Sequence, residues 1–221
     1  ERINLRDQPV GTGVQQIIED KYGYVWLLNK KQVYRYDGYN FYDLAKKIKT
    51  QIHYIQEIGD GIWLSANGCI AYINHQNLEL SIYPWEDGDL TISVLGEKSP
   101  TELWIFAEGK GLHLFDITSK RYQKMPNGKA TNVLNGKKDC DAPTSLSHNL
   151  KVISEYNQAW FLEVKNWPTE AQKKEKRLFC FDTKKGEWTY YPVLFDEIIS
   201  YIDMYLEPNL QYLWLSAWNT G

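Results

Sequence analysis

Five tryptophans stand in one context, each with an apolar residue on either side: Val25-Trp26-Leu27, Ile62-Trp63-Leu64, Leu103-Trp104-Ile105, Ala159-Trp160-Phe161 and Leu213-Trp214-Leu215. The interval between successive tryptophans is close to the length of a four-stranded blade, and longest on either side of Trp160. Each of the first four is followed by an aromatic-rich run that stops at Asp or Asn: Val33-Tyr34-Arg35-Tyr36-Asp37, Ile70-Ala71-Tyr72-Ile73-Asn74, Leu112-His113-Leu114-Phe115-Asp116 and Leu178-Phe179-Cys180-Phe181-Asp182. The interval from Trp to that Asp or Asn is nearly constant in the first three copies and close to double in the fourth. Pro84, Pro126 and Pro192 then each follow Asn74, Asp116 and Asp182 at one constant offset. Three elements in fixed order at near-constant spacing define a repeated structural unit, and a chain that repeats must stack its units.

The content of the unit predicts four short strands. Strand A is the apolar alternation before the Trp, as in Val14-Gln15-Gln16-Ile17-Ile18, Ile52-His53-Tyr54-Ile55 and Leu150-Lys151-Val152-Ile153. A polar turn follows, Asp20 to Gly23 in the first copy and Gly59-Asp60-Gly61 in the second. Strand B carries the Trp. Strand C carries the aromatic run and stops at the turn-forming Asp or Asn. Strand D ends before Pro, which cannot donate to a ladder and suits an edge. An aromatic share of 14% fits pleated surfaces.

Short strands at this spacing, repeated as whole units, predict an all-β β-propeller with four complete four-stranded blades and part of a fifth. The blade ranges are about 10–47, 48–84, 90–126, 148–192 and 197–221, within one propeller fragment spanning 1–221. Closed propellers use about four to eight blades, so the chain is expected to stop inside a longer one. The alternative is that the segment up to Pro9 completes the last blade.

The first copy, Ile17-Ile18-Glu19-Asp20-Lys21-Tyr22-Gly23-Tyr24-Val25-Trp26-Leu27-Leu28 with Val33-Tyr34-Arg35-Tyr36-Asp37-Gly38, resembles the regulator-propeller repeat of two-component systems. The third copy is similar from Leu103 to Asp116, including Gly111-Leu112; the second and fourth lack an Asp-Gly after strand C. The resemblance implies the periplasmic sensor region of a hybrid histidine kinase and response regulator, anchored in the inner membrane through downstream segments. It implies detection of an oligosaccharide or of a partner, with the signal relayed to a kinase, a homodimer formed through the parent receptor, and no cofactor. Asp20-x-x-Gly23-x-x-Trp26 also resembles the Asp-box of sialidases and other propellers, a mostly structural turn.

The residues offer little catalytic chemistry. There is no G-x-S-x-G, H-E-x-x-H, P-loop or Rossmann glycine cluster. His53, His75, His113 and His148 lack metal-ligand spacing with Cys69, Cys140 and Cys180, so no metal site is expected. His113, on strand C, reads as structural. Strand A offers apolar and amide residues, with Glu19, Asp20 and Glu57 near the A–B turns, which weighs against acid–base catalysis at the channel. A net charge of −3 gives no electrostatic reason for a nucleic-acid partner. In an oxidising compartment a Cys140–Cys180 bond is open. The fragment therefore reads as non-enzymatic. A protein–protein platform is the alternative, and a propeller lyase or glycosidase a third.

A tryptophan that recurs in every blade is core, because a binding ring would not need to recur. Function is expected where the repeat breaks. The stretch from Pro126 to Trp160 is more than half as long again as that from Pro84 to Trp104, and the stretch from Trp160 to Asp182 is close to twice its counterparts. These insertions fall in the D-to-A connection and the B-to-C hairpin of blade four, which emerge on one face because strands alternate direction. Long loops on a rigid scaffold are where binding concentrates. Trp167 lies in one insertion, and the same face is expected to carry Trp85 with Glu86 and Asp87, Glu108 with Lys110, and Trp218 in the loop after the fifth strand B. Trp85, Glu108, Lys110, Trp167 and Trp218 are the candidate ligand contacts, since loop tryptophans beside charged and amide groups can stack on and hydrogen-bond sugars; the alternatives are that these rings fold back as lids on blade edges or meet a neighbouring protein or domain.

Overall fold

The computed structural model describes residues 13–29, 31–126, 128–138, 140–144, 153–155, 157–164, 176–193, 201–207 and 212–218. All regular elements there are strands. Blade 1 is β1 (Gln16–Glu19), β2 (Val25–Asn29), β3 (Gln32–Tyr36) and β4 (Phe41–Asp43). Blade 2 is β5 (Ile52–Ile58), β6 (Gly61–Ala66), β7 (Cys69–Asn74) and β8 (Leu80–Pro84). Blade 3 is β9 (Ile92–Ser99), β10 (Glu102–Ala107), β11 (Gly111–Asp116) and β12 (Arg121–Lys124). Each is a four-stranded sheet in sequence order, the up-and-down pattern that the A-to-D reading requires. With this sheet pattern, the fold is a β-propeller.

Blade 4 departs from that pattern. Its sheet has six strands, in the order β14-β13-β18-β17-β16-β15. Four are the expected A to D strands: β15 (Ile153–Glu155), β16 (Gln158–Val164), β17 (Lys176–Asp182) and β18 (Glu187–Val193). The other two, β13 (Lys129–Asn132) and β14 (Cys140–Asp141), come from the insertion after blade 3. β13 pairs parallel with β18, Ala130 opposite Trp188 and Asn132 opposite Tyr190. The first part of that insertion is thus an extension of the outer edge rather than a free loop. An open outer strand leaves unpaired N–H and C=O groups, and β13 satisfies them here. Asn132 Nδ2 also donates to the Tyr190 hydroxyl at 2.9 Å, a buried bond.

The fifth repeat is the hairpin β19 (Tyr201–Leu206) and β20 (Leu213–Trp218), with Leu206 opposite Leu213 and Tyr201 opposite Trp218. Trp218 is therefore the last paired residue of β20, not a loop residue. The ladder with β19 carries β20 one position further past its tryptophan than β2 runs past Trp26. The prolines also differ from expectation. Pro84 closes β8 and Pro192 lies inside β18, opposite Arg177. β8 is the outer strand of its blade and β13 bonds only Trp188 to Tyr190 of β18, so neither proline blocks a described ladder bond.

The chain divides into two compact units, Glu1–Val94 and Leu95–Gly221. In the first, one apolar core fills the space between blades 1 and 2. Trp26, Leu28 and Val33 meet Ile52, Ile55, Ile62 and Leu64 there, all with no exposed surface. In the second, Trp104, Phe106 and Leu114 of blade 3 meet Phe161, Phe179, Phe181 and Trp188 of blade 4. The strand alternation makes this possible, because Trp and the residue two positions on share a face.

The repeated tryptophans have the structural role that their regularity predicts. Trp26, Trp63, Trp104 and Trp160 are all buried. Trp104 crosses to the next blade: its Nε1–H donates to the Thr183 carbonyl at 2.7 Å and its ring meets Phe181 edge-on at 5.1 Å. Trp214 is the exception, 61% exposed on β20.

Side-chain amides of the innermost strands, and one hydroxyl of the second strand of blade 2, tie adjacent blades. Gln16 Nε2 donates to the Ile55 carbonyl and Gln16 Oε1 accepts from the Ile55 N–H, both at 2.8 Å. In the next junction two residues share the task. Gln56 Nε2 donates to the Val94 carbonyl at 2.8 Å and Ser65 Oγ accepts from the Val94 N–H at 2.9 Å. Inner strands of neighbouring blades do not pair as a sheet, so these side chains satisfy the buried backbone groups instead.

The three cysteines are free, and the Cys140–Cys180 bond is not formed. Cys140 Sγ instead lies 3.0 Å from Arg177 Nη1. Burial pushes the Cys180 thiol up to about 12, which makes it a packing group rather than a nucleophile.

Candidate functional site

Three of the candidate residues, Trp85, Glu108 and Lys110, sit where the four-stranded scaffold turns. Trp85 follows β8, and its backbone N–H donates to the Gly68 carbonyl at 2.8 Å. The Gly68 N–H in turn donates to the Leu90 carbonyl at 2.7 Å, and Asn67 bridges to Thr91. The D-to-A connection of residues 85–91 is thus fastened to the β6–β7 turn, so both loops of this blade share one end. Gly68 holds a φ of 71° there, and a Cβ would meet the Asp89 carboxylate at 3.0 Å. Gly at the second position of this two-residue turn supplies the positive φ that the turn requires. Trp85 is half-buried, while Glu86, Asp87 and Asp89 beside it are exposed.

Glu108 and Lys110 form the β10–β11 turn with Gly109, closed by the Lys110 N–H to the Ala107 carbonyl at 3.0 Å. Glu108 is half-buried and Lys110 exposed. Lys110 lies at the B-to-C turn of blade 3, and Trp85 at the loop end of blade 2 that its own B-to-C turn shares. Trp85 belongs to the first unit, and Glu108, Lys110 and Trp218 to the second. Trp167, with the rest of the B-to-C insertion at 165–175, lies outside the described residues. In the other insertion, Leu134 at the tip between β13 and β14 is exposed, with Val133 beside it.

The opposite end of blades 1 and 2 holds a polar cluster that the sequence did not reveal. Asp20 sits in the β1–β2 turn with a fully buried side chain. Its Oδ1 accepts from the N–H groups of Tyr22 and Tyr24 at 2.9 and 3.0 Å, and its Oδ2 from Trp26 Nε1 at 2.7 Å. This is the structural work expected of the Asp-box-like turn. Next to it, His75 lies between Asp20 and Glu57. Asp60 is exposed, and the hydrogen bond from Lys21 holds its carboxyl below the usual range, while the same bond raises the Lys21 ammonium. No repeat position flagged His75, because the residue after the C-strand Asp or Asn is Gly38, Ile117 or Thr183 in the other blades.

His53, on the inner strand of blade 2, places Nε2 3.2 Å from the Ile92 carbonyl. Burial brings its pKa down to about 4, which keeps the ring neutral in ordinary conditions. His113 is buried, its Nδ1 against its own strand's Gly111 carbonyl at 3.0 Å, in keeping with the structural reading. Among the described residues, no group of three His, Cys, Asp or Glu side chains could hold a metal ion, and no helix is long and apolar enough to cross a membrane.

Comparison with known proteins agrees with the propeller fold. No family model and no curated protein matches the chain. Among solved structures it is similar to the extracellular domain of the hybrid two-component system BT3049 from B. thetaiotaomicron, at 13% identity and a TM-score of 0.56, covering 100% of this chain and 30% of that one. It is also similar to the extracellular domain of the hybrid two-component system BT4673 from the same organism, at 16% identity and a TM-score of 0.55, covering 93% of this chain and 25% of that one. A virginiamycin B lyase from Staphylococcus aureus, solved with quinupristin, is similar at 12% identity and a TM-score of 0.51, covering 91% of this chain and 61% of that one. The chain spans less than two thirds of each of these structures.

Proposed function

We propose that this chain is part of an extracytoplasmic sensor domain of a two-component signalling protein, one that detects an oligosaccharide and passes the signal to a kinase in the same receptor. The observation that carries the reading is the repeat itself: the Tyr-Arg-Tyr-Asp-Gly and Glu-Asp-x-x-Gly-x-x-Trp elements of blade 1, in a fold similar to two such ectodomains. The parent is then a periplasmic-facing inner-membrane receptor and the chain itself has no enzymatic role. The proposed contacts are D-to-A and B-to-C loop residues, with Trp218 at the end of β20: Trp85, Glu108, Lys110, Trp167 and Trp218. Half-buried Trp85 beside exposed carboxylates offers a ring to stack on a sugar and acceptors for its hydroxyls.

Isothermal titration of the intact ectodomain against a panel of neutral and acidic oligosaccharides tests this directly. Saturable binding of at least one is expected. Binding to none, with a folded domain, refutes the glycan reading and leaves the partner-binding platform. Lyase or hydrolase turnover of any of them refutes the non-enzymatic reading.

A further inference from the structure

Blade 1 holds a cation that no acid of its surroundings pairs. Arg35 lies on β3, opposite Trp26 on β2 and Tyr42 on β4, so the three side chains share one face of the blade. The guanidinium carbon is over the Tyr24 ring, 4.2 Å from its centroid, and 5.9 Å from the centroid of Tyr42. Tyr24 is itself fixed: its N–H donates to Asp20 Oδ1 at 3.0 Å, and its carbonyl accepts from the Asp20 N–H at 2.9 Å. Arg35 Nε is closed to solvent and has no hydrogen-bond partner. Among the described residues, no acceptor pairs with the terminal nitrogens either.

The acids of the two flanking turns are engaged elsewhere. Asp37 accepts from the N–H groups of Tyr39 and Asn40 at 2.9 and 2.7 Å, and from the Tyr42 hydroxyl at 3.0 Å. Asp20 accepts from Tyr22, Tyr24 and Trp26. Nor does the fold ask for a charge at this position. The residue facing the blade tryptophan from the third strand is Tyr72 in blade 2, Leu114 in blade 3 and Cys180 in blade 4. A guanidinium there gives up water, and an N–H left buried without an acceptor is costly. The tyrosine rings compensate only the charge, through their faces. A flat guanidinium against a ring keeps its N–H groups at its edge, in the fork that matches two oxygens of one oxyanion. The surroundings leave access, since Tyr42 is 41% exposed and Gly38, Tyr39 and Asn40 of the adjoining turn are exposed.

We propose that Arg35, set against Tyr24 and Tyr42, is a binding site for an oxyanion, the carboxylate or sulfate group of an acidic ligand. The rings hold the plane of the guanidinium, and the bound oxyanion supplies the acceptors that the blade does not. A uronic or sulfated sugar would bring such a group to a sensor ectodomain, but the anion site stands or falls apart from the glycan reading.

The test is proton–nitrogen NMR of the whole chain, titrated separately with sodium sulfate and sodium acetate at an ionic strength held constant with chloride. The Arg35 Nε–H resonance should move saturably with at least one of them, and the tighter of the two names the group. Arg35→Lys keeps the charge and loses the fork, so half-saturation, read at the Tyr24 and Tyr42 amides, should need at least about fivefold more anion. Should Arg35→Lys not fold, Tyr24→Leu serves: loss of the ring that holds the guanidinium should weaken binding by about twofold to fivefold. No saturable shift with either anion, or an affinity unchanged in whichever variant folds, overturns the proposal.

Discussion

Replacing Trp104 by Phe isolates what one repeated tryptophan contributes. The change removes the Nε1–H bond to the Thr183 carbonyl, which joins blade 3 to blade 4 at 2.7 Å. The carbonyl belongs to a residue with almost no exposed surface, so no water replaces the lost donor readily. A net hydrogen bond is worth about 1 kcal/mol, and leaving the acceptor buried adds about as much again. The smaller ring also withdraws from Phe181 and from the surface beneath it, where Gly186 lies close enough that a Cβ would meet Cζ2 at 3.2 Å. That loss is about 1 kcal/mol. The sum, about 3 kcal/mol, lowers the melting temperature by roughly 6–12 °C for a chain of this size. Near-ultraviolet circular dichroism during a thermal melt reads the loss, since the remaining buried tryptophans report on the packing of the fold. A fall of less than about 2 °C would refute the claim that Trp104 ties two blades together.

Three further outcomes follow from the junctions. His53, with a folded pKa of about 4 against 6.5 unfolded, stays neutral in the fold while the unfolded chain takes up a proton, so stability should rise with pH from about 4 to 6.5 and then level. The effect is at most about 3 kcal/mol and smaller in practice because the ring is partly accessible; urea midpoints at both ends, compared with His53→Gln, should show the slope only in the native chain. Gly61→Ala should destabilise by more than about 2 kcal/mol, because a Cβ there runs into the Ile73 carbonyl and the Tyr72 ring; a wild-type urea midpoint would contradict this. Gln16→Leu keeps the size of the side chain but strands the Ile55 N–H and C=O, and should cost about 1–3 kcal/mol by the same assay, where no loss would deny the amide clamp.

The scaffold was legible because its signals are periodic. The apolar-Trp-apolar context fixed strand B, the Asp or Asn fixed the end of strand C, and the observed β2, β6, β10, β16 and β20 each carry the expected tryptophan. What was hidden depends on contacts between units of the repeat. β13 joins β18 through backbone bonds, and Lys129 to Asn132 gives no apolar alternation to announce a strand. Trp218 looked like a loop residue because the sequence shows no partner, yet Tyr201 lies opposite it. His75 has its meaning only from Asp20 and Glu57, which stand on other elements of the chain. The candidate contacts were read from irregularity alone; Trp85 and the β10–β11 turn lie at loop ends of their blades.

If regular tryptophans build the propeller and irregular ones meet the ligand, the two kinds must respond differently to removal. Calorimetric titration of Trp85→Ala and Trp167→Ala with whichever oligosaccharide the intact ectodomain binds, alongside thermal melts of the same samples, tests this most directly. Affinity should fall by about tenfold or more, as expected when a stacked ring is lost, with melting within about 2 °C of the native protein. Unchanged affinity in both variants, or a loss of binding matched by a loss of folding, would contradict it.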